Sequence, residues 1–189
     1  MQRVRSSRLI PTVVPALAAL ALLGQAPTAC AQEGIPFSQH GTVSQRVGYT
    51  DIAIAYNRPE ARGRMLYGGV ERWGRIWNPG ADSATVVTCS KDVIVEGNPL
   101  AAGSYSLWMI PQPEPEPWTV IFSRAAHVFH TPYPGEEHDA LRVTIRPEGG
   151  EHMEVLAFYF PVVAPDSAVL RMHWGRTVVP LRIRVHNAP

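Results

Sequence analysis

Four side chains near the first third of the chain have the types and spacing of an anion-binding site. Arg58, Arg62 and Arg64 follow one another at short intervals, and Tyr67 comes three residues later. A planar guanidinium group binds carboxylates and phosphates through paired hydrogen bonds, so this cluster favours an anionic ligand. A structural alternative stays open, in which carboxylates such as Glu60 pair with these arginines within a crossover between strands.

The segment that follows has the composition of a protein-binding surface. It contains Arg72, Trp73, Arg75 and Trp77, and Trp and Arg are residue types that often anchor protein interfaces. Val70, Trp73 and Trp77 have helical spacing, which predicts about two turns of helix with one apolar face. We therefore expect a short helical crossover that lays both tryptophans over an open end of the fold and turns its arginines outward.

Three histidines form the only stretch that suggests a metal site. His127, His130 and His138 lie close to Glu136, Glu137 and Asp139, and imidazoles with carboxylates can bind zinc. However, the histidine spacing matches no established ligand signature, and prolines indicate a surface loop. These histidines are weak metal candidates, and the sequence predicts no cofactor.

Other reactive side chains give little support for catalysis. Ser104 and Ser106 lack the glycine pattern of a nucleophile elbow, and Cys89 lies in an alternating strand, where a lone thiol usually behaves as a small buried hydrophobe. Trp108 could stack on a carbohydrate, but alternation places it opposite Tyr105. The sequence leaves open whether Trp108 is exposed or lies in a strand that is buried on both faces.

Alternation with a period of two dominates the segments that must position these residues. About ten short runs of this kind, separated by Gly and Pro turns, predict an all-β fold, an antiparallel β-sandwich of jelly-roll type with one short helical crossover. Residues 32–189 are long enough to bury about 70% of their unfolded surface in a single domain. Pro180 and the outward arginines of the last run predict a protected edge strand.

The first 31 residues predict export. Arg3, Arg5 and Arg8 precede an apolar run that ends at Ala29-Cys30-Ala31, which is typical of a signal peptide covering residues 1–31. Alternatively, a lipoprotein signal would end before Cys30 and leave a lipidated cysteine, which would bring the N-terminus to a membrane surface. Removal of the three arginines lowers the formal net charge from +1 to −2, so we expect no nucleic-acid partner. The predicted location is the periplasm or the periplasmic face of a membrane.

Short motifs spread over most of the chain resemble one bacterial family. They are Tyr56-Asn57-Arg58-Pro59, Gly63-Arg64, Gly68-Gly69, Trp73-Gly74, Trp77, Gly80-Ala81, Ala84-Thr85, Ser90-Lys91-Asp92-Val93, Gly97, Ala102-Gly103-Ser104-Tyr105-Ser106-Leu107, Ile110-Pro111, Trp118-Thr119-Val120-Ile121-Phe122, Asp139-Ala140-Leu141-Arg142-Val143 and Trp174. The family is a group of exported proteins known as domain of unknown function 2911. The resemblance implies an exported β-rich domain, often lipid-anchored, and it carries over no catalytic residues. The chain departs from the family pattern at Asn78-Pro79, where an arginine is expected, and at Asp82, where an asparagine is expected.

Three functional hypotheses follow. The first is a non-enzymatic module of the cell envelope that docks on another protein at the periplasmic membrane surface, for example as an accessory or structural subunit of a large membrane complex. The second is a periplasmic protein that binds a glycan or an anion through Tyr67, Trp108 and the arginines. The third is a metal-dependent hydrolase built on the three histidines.

Overall fold

A computed structural model describes residues 36–186, and within them the protein is all-β. The strands are β1 (Gln39–Val47), β2 (Thr50–Arg58), β3 (Val86–Cys89), β4 (Val93–Val95), β5 (Asn98–Leu100), β6 (Gly103–Ile110), β7 (Trp118–Ser123), β8 (Asp139–Ile145), β9 (Glu148–Ala164) and β10 (Ser167–Val185). Helical structure in this part of the chain is confined to a 3-10 turn at Glu136–His138. The predicted all-β class with about ten strands is confirmed. The predicted signal segment, with Cys30, lies outside the described residues.

The strands form two antiparallel sheets. One sheet has the order β1-β2-β3-β6-β7-β8, and the other has the order β5-β4-β10-β9. Neighbours in the first sheet are also neighbours along the chain, except where β4 and β5 leave for the second sheet between β3 and β6. The prediction of two antiparallel sheets is confirmed, whereas this strand order does not confirm jelly-roll connectivity.

The alternating side chains place one hydrophobic core between the sheets. Ile52 and Ile54 of β2 are buried, as is Leu107 of β6, and they belong to the same cluster as Leu170 and Leu181 of β10. Full burial of such a side chain contributes about 1.5–3 kcal/mol relative to exposure. This shared core fixes the second sheet against the first.

The last strand is internal, so its prediction as an edge strand is wrong. β10 pairs with β9 up to Val178 and with β4 from Ile183 onward. Pro180 falls between these two paired stretches, where its missing N–H removes no ladder hydrogen bond. Among the outward arginines, Arg182 pairs with Glu96 at 3.4 Å.

The predicted helical crossover is also wrong. Between β2 and β3 the chain forms turns and isolated bridges, and Gly68 and Gly74 have positive φ angles of 83° and 70°. These backbone angles end any run of right-handed helix. The backbone of Trp77 instead exchanges hydrogen bonds with Met109 of β6 at 2.8 and 2.7 Å, and Gly74 N donates to Pro111 O. The crossover is therefore fastened to the first sheet.

Trp108 lies inside a small second core, so it offers no carbohydrate-stacking face. Its side chain is 1% exposed, clusters with Ala84 and Ile121, and packs edge-on against Tyr133. The indole Nε1 donates to Ser106 Oγ at 2.8 Å. Strand β6 is thus buried on both faces at this point, one of the two alternatives that the sequence left open.

Candidate functional site

A cleft of about 380 Å³ opens between the crossover and the strands β9 and β10. The crossover reaches this place because the chain after β2 pairs with β9, where Ala61 N donates to Glu154 O and Leu156 N donates to Pro59 O. The residues that line the cleft come from both sides: Ala61, Arg64, Leu66, Tyr67, Trp73, His152, Trp174, Gly175, Arg176 and Thr177. We consider this cleft the candidate functional site.

Tyr67 is the centre of the aromatic wall. Its ring lies 4.7 Å from that of Trp118 and 5.8 Å from that of Trp77, both edge-on. It also lies 6.3 Å from the rings of Trp73 and Trp174. Such pairs add roughly 0.5–1.5 kcal/mol beyond their buried area. The four tryptophans therefore hold Tyr67 in a fixed position.

Two glycines allow close contacts around the cleft, Gly68 within the crossover and Gly175 between β10 and the crossover. A Cβ atom on Gly68 would lie 2.4 Å from Nε1 of Trp73, so the indole packs directly over this residue. Gly175 has φ +60° and lies in β10 where the pairing with β9 is irregular. A Cβ on Gly175 would lie 2.7 Å from Cδ1 of Leu66. Only glycine fits both the backbone angle and the close contact at these two positions.

Two buried polar atoms of the cleft residues lack hydrogen-bond partners. They are the Tyr67 hydroxyl and Trp174 Nε1, and Trp174 is only 1% exposed. Burial raises the pKa of the Tyr67 hydroxyl far above its ordinary value, and the nearby Glu71 carboxyl adds to this shift. A buried donor without a partner costs about 1–3 kcal/mol. Such atoms beside a cleft are expected where a ligand or an ordered water completes the site.

Glu71 lies behind this wall in a partly dehydrated position. Burial raises the pKa of its carboxyl group to about 7, although the positive charge of Arg64 acts in the opposite direction. The backbone of the same residue closes the loop, because Glu71 N donates to Leu66 O and Gly68 N donates to Glu71 O, both at 2.7 Å. Near neutral pH the carboxyl group is therefore partly protonated.

The polar rim of the cleft consists mainly of hydrogen-bond donors. Arg64 is held in place by bonds to the carbonyl oxygens of Ala61 and Glu60, while Arg176 is exposed. His152 Nε2 lies 2.8 Å from Glu154 Oε2. No carboxylate is among the described residues that line the cleft. The rim is consequently suited to an acceptor-rich group.

The structure separates the arginines that the sequence grouped together. Arg58 Nε donates to Leu156 O at 3.0 Å and so ties β2 to β9. Arg62 pairs with Glu60 at 3.1 Å and lies over the Phe37 ring. Of the predicted trio only Arg64 lines the cleft, while Arg72 and Arg75 are exposed elsewhere on the crossover. The predicted three-arginine cluster does not form, and the structural alternative, pairing with a carboxylate such as Glu60 within the crossover, describes Arg62.

An apolar patch covers the outside of the crossover. Met65 is 74% exposed, Trp73 is 42% exposed and Val70 is 40% exposed. Val70 N donates to Met65 O at 3.0 Å, which fixes these two residues next to each other. The exposed Arg72 adds positive charge to the same loop. In contrast to Trp73, the predicted interface residue Trp77 is buried at the base of the crossover.

The histidines do not meet. His130 Nδ1 lies 2.8 Å from the carbonyl oxygen of Asp82, and His138 forms a 4.0 Å contact with its neighbour Glu137. His127 is exposed. Within residues 36–186 no group of three or more His, Cys, Asp or Glu side chains is placed to hold a metal ion. The structure therefore does not bring the three candidate histidines together as ligands of one metal ion.

Sequence reasoning missed the half of the cleft that comes from β9 and β10. One signal could have found it, because the tripeptide Trp-Gly-Arg occurs at residues 73–75 and again at residues 174–176. Both central glycines have positive φ angles, 70° at Gly74 and 60° at Gly175. Both tryptophans contact Tyr67. The two tripeptides thus contribute to the same aromatic wall from opposite sides.

These features define an all-β protein of two antiparallel sheets with an aromatic cleft under an irregular crossover. The family model described as "Protein of unknown function (DUF2911)" matches residues 38–183. Because this match covers most of the chain, the protein belongs to that family, which confirms the resemblance seen in the sequence. No curated protein and no solved structure gave a match. No helix within residues 36–186 is long and apolar enough to cross a membrane.

Proposed function

We propose that this protein is a non-enzymatic docking module of the cell envelope, and that the crossover is the face that binds another protein. The observation that carries the proposal is the apolar patch of Met65, Val70 and Trp73, which are 74%, 40% and 42% exposed. Large apolar side chains grouped on a surface mark interaction sites more often than scattered ones do. Met, Trp and Arg are also enriched at protein interfaces.

The loop that presents this patch is suited to docking because it is already ordered. Backbone bonds from Val70 to Met65 and from Glu71 to Leu66 close it, and Trp73 packs over Gly68. A partner therefore loses little free energy to ordering of this surface on binding. The exposed Arg72 and Arg75 on the same segment favour a partner whose apolar contact area has an acidic rim.

The location is part of the same proposal. The signal segment of residues 1–31 supports export, and a lipidated Cys30 would hold the domain at the periplasmic membrane surface. The partner would then be a membrane protein or a large membrane complex, in which this protein serves as an accessory or structural subunit. The finer classification of the two sheets as a jelly roll is likewise a proposal, supported only by the strand count and the two-sheet arrangement.

The test uses the full chain in its native host. Membranes are extracted with a mild detergent and separated by size, and the protein is quantified in each fraction. We expect it to travel with a large complex at fixed stoichiometry, and the double variant Met65→Ser, Val70→Ser to shift to the free fraction. Val162→Ser, Val163→Ser is the matched control, because these β9 valines are also exposed but lie outside the crossover.

Two results would contradict the proposal. A wild-type protein that runs as a free domain would remove the docking function. Equal retention of the crossover variant and the control variant in the large complex would show that docking uses another face. Membrane fractions washed with high salt add a further check, because salt screens the arginine contribution but leaves apolar contacts intact.

A further inference from the structure

We propose that the cleft between the crossover and β10 binds a carboxylated sugar ring, a function that goes beyond docking. The first argument is charge. Arg64 and Arg176 lie on the rim, and no carboxylate lines the cleft in the described part of the chain. On β9, Glu154 forms a 2.8 Å contact with His152, which lines the cleft. The Glu71 carboxyl does not line the cleft but interacts with Tyr67 and Arg64, and burial raises its pKa to about 7, so near neutral pH it carries only part of a negative charge against an entering anion.

The second argument is the pair of unpartnered donors. Trp174 Nε1 and the Tyr67 hydroxyl are buried without hydrogen-bond partners, and both residues line the cleft. Trp174 is 1% exposed. Neither atom is accessible to solvent, so a ligand oxygen or a bridging water reaches it only when the surrounding side chains shift, and it then satisfies a group that otherwise remains costly. This observation is independent of the rim charge and also indicates an acceptor-rich ligand.

The third argument is shape. Trp73 stacks on Tyr67 with 29° between the ring planes, and its indole remains partly exposed at the edge of the cleft. A flat aromatic surface next to separated polar groups favours a ring that has one apolar face and several polar edges. A sugar ring has this form. The volume of about 380 Å³ lies at the lower end of the range for small-molecule sites.

Arg176 and Arg75 supply a matched pair of variants for the test. Each is the third residue of a Trp-Gly-Arg tripeptide and each is exposed, but only Arg176 lines the cleft. The purified full-length chain is titrated with D-glucuronate, D-glucose and benzoate. Tryptophan fluorescence and ligand-observed NMR measure binding, and thermal unfolding confirms that each variant is folded.

The expected result is saturable binding of glucuronate that is at least about tenfold tighter than that of glucose or benzoate, which corresponds to about 1.4 kcal/mol. Arg176→Gln weakens glucuronate binding by about tenfold or more, and Arg75→Gln leaves it unchanged. Trp73→Ala weakens it as well, because the stacking surface is lost.

Each other result counts against the proposal. If glucuronate shows no saturable binding, the proposal is wrong. If glucose binds as tightly as glucuronate, the carboxylate has no role in recognition. Benzoate binding as tight as glucuronate binding shows that the ligand class is aromatic acids instead. The docking proposal is tested separately with Met65 and Val70, which do not line the cleft, so the failure of one proposal is distinguishable from failure of the other.

Discussion

Replacement of Glu71 by glutamine should make the protein more stable above neutral pH and leave its stability unchanged in mild acid. Burial raises the pKa of this carboxyl group from 4.5 to about 7 in the folded protein. The folded state therefore holds the proton more tightly than the unfolded chain. The stability that comes from the protonated form is fully present below pH 4.5 and is lost as the pH rises through about 7.

The size of this effect follows from the difference between the pKa values of Glu71 in the folded and unfolded states. Each pKa unit corresponds to about 1.4 kcal/mol, so the change in the free energy of unfolding would be roughly 3 kcal/mol for a fully dehydrated group. Glu71 is partly exposed, and solvent screening reduces the expected effect to about 1–2 kcal/mol. At pH 8 the free energy of unfolding of Glu71→Gln should exceed that of the wild type by this amount, whereas at pH 4, below the unfolded pKa, the two values should agree.

Urea unfolding followed by tryptophan fluorescence at pH 4 and pH 8 measures both values by linear extrapolation. Glu116→Gln is the control, because Glu116 is exposed in the loop between β6 and β7. A parallel pH dependence of Glu71→Gln and the wild type would refute the reasoning. A variant that is less stable at pH 8 would show that the attraction between Glu71 and Arg64 outweighs dehydration.

Three further predictions concern the packing. Gly175→Ala should lower the free energy of unfolding by about 1–3 kcal/mol in urea titrations, because φ is +60° and the new Cβ would clash with Leu66. Gly63→Ala is the control and should cost only about 1 kcal/mol, because its φ is similar at +66° but a Cβ there would meet no atom within 4 Å. Equal losses would contradict the close contact. Ser106→Ala should cost about 1–3 kcal/mol because Trp108 Nε1 loses its acceptor. The same change in a Trp108→Phe background should cost clearly less, and an equal cost in both backgrounds would exclude the bond as the cause. Burial raises the pKa of the Cys89 thiol to about 11, so at pH 8 it should react with a thiol reagent only after unfolding, and rapid labelling of the folded protein would contradict this.

Alternation predicted the strands well where one face of each strand meets the core. Ile52, Ile54 and Tyr56 of β2 alternate and are all buried. The same alternation did not predict that a strand continues across a stretch of irregular pairing. The alternating runs at residues 168–173 and 178–185 predict two separate strands, yet both belong to β10, whose pairing with β9 is irregular around Gly175. A glycine in a strand pattern indicates a turn or a bulge equally well, and local sequence does not choose between them.

The crossover shows why long-range contacts escape this kind of prediction. Val70, Trp73 and Trp77 have helical spacing, but Trp77 forms its backbone bonds with Met109 of β6, and Gly74 donates to Pro111 just after that strand. These partners lie more than thirty residues away, so no local window contains them. The arginine cluster failed for the same reason, since Arg58 found its acceptor on β9 at Leu156 O. Composition drew attention to the crossover, while only the fold shows which arginine of the predicted trio faces the cleft.

The way the cleft is built bears on what it can do. One wall belongs to the part of β10 that pairs with β9, and the other belongs to a loop closed by its own backbone bonds. Tyr67 joins them, because its ring contacts Trp73 of the loop and Trp174 of the strand. A site held in this way is largely formed before a ligand arrives, so little binding free energy is lost to ordering. Met65 and Val70 of the same loop are exposed and do not line the cleft, so the proposed docking surface and the proposed ligand site share only Trp73. The crossover therefore has two surfaces with different chemistry, and its fastening to the first sheet is what allows both to be rigid at once.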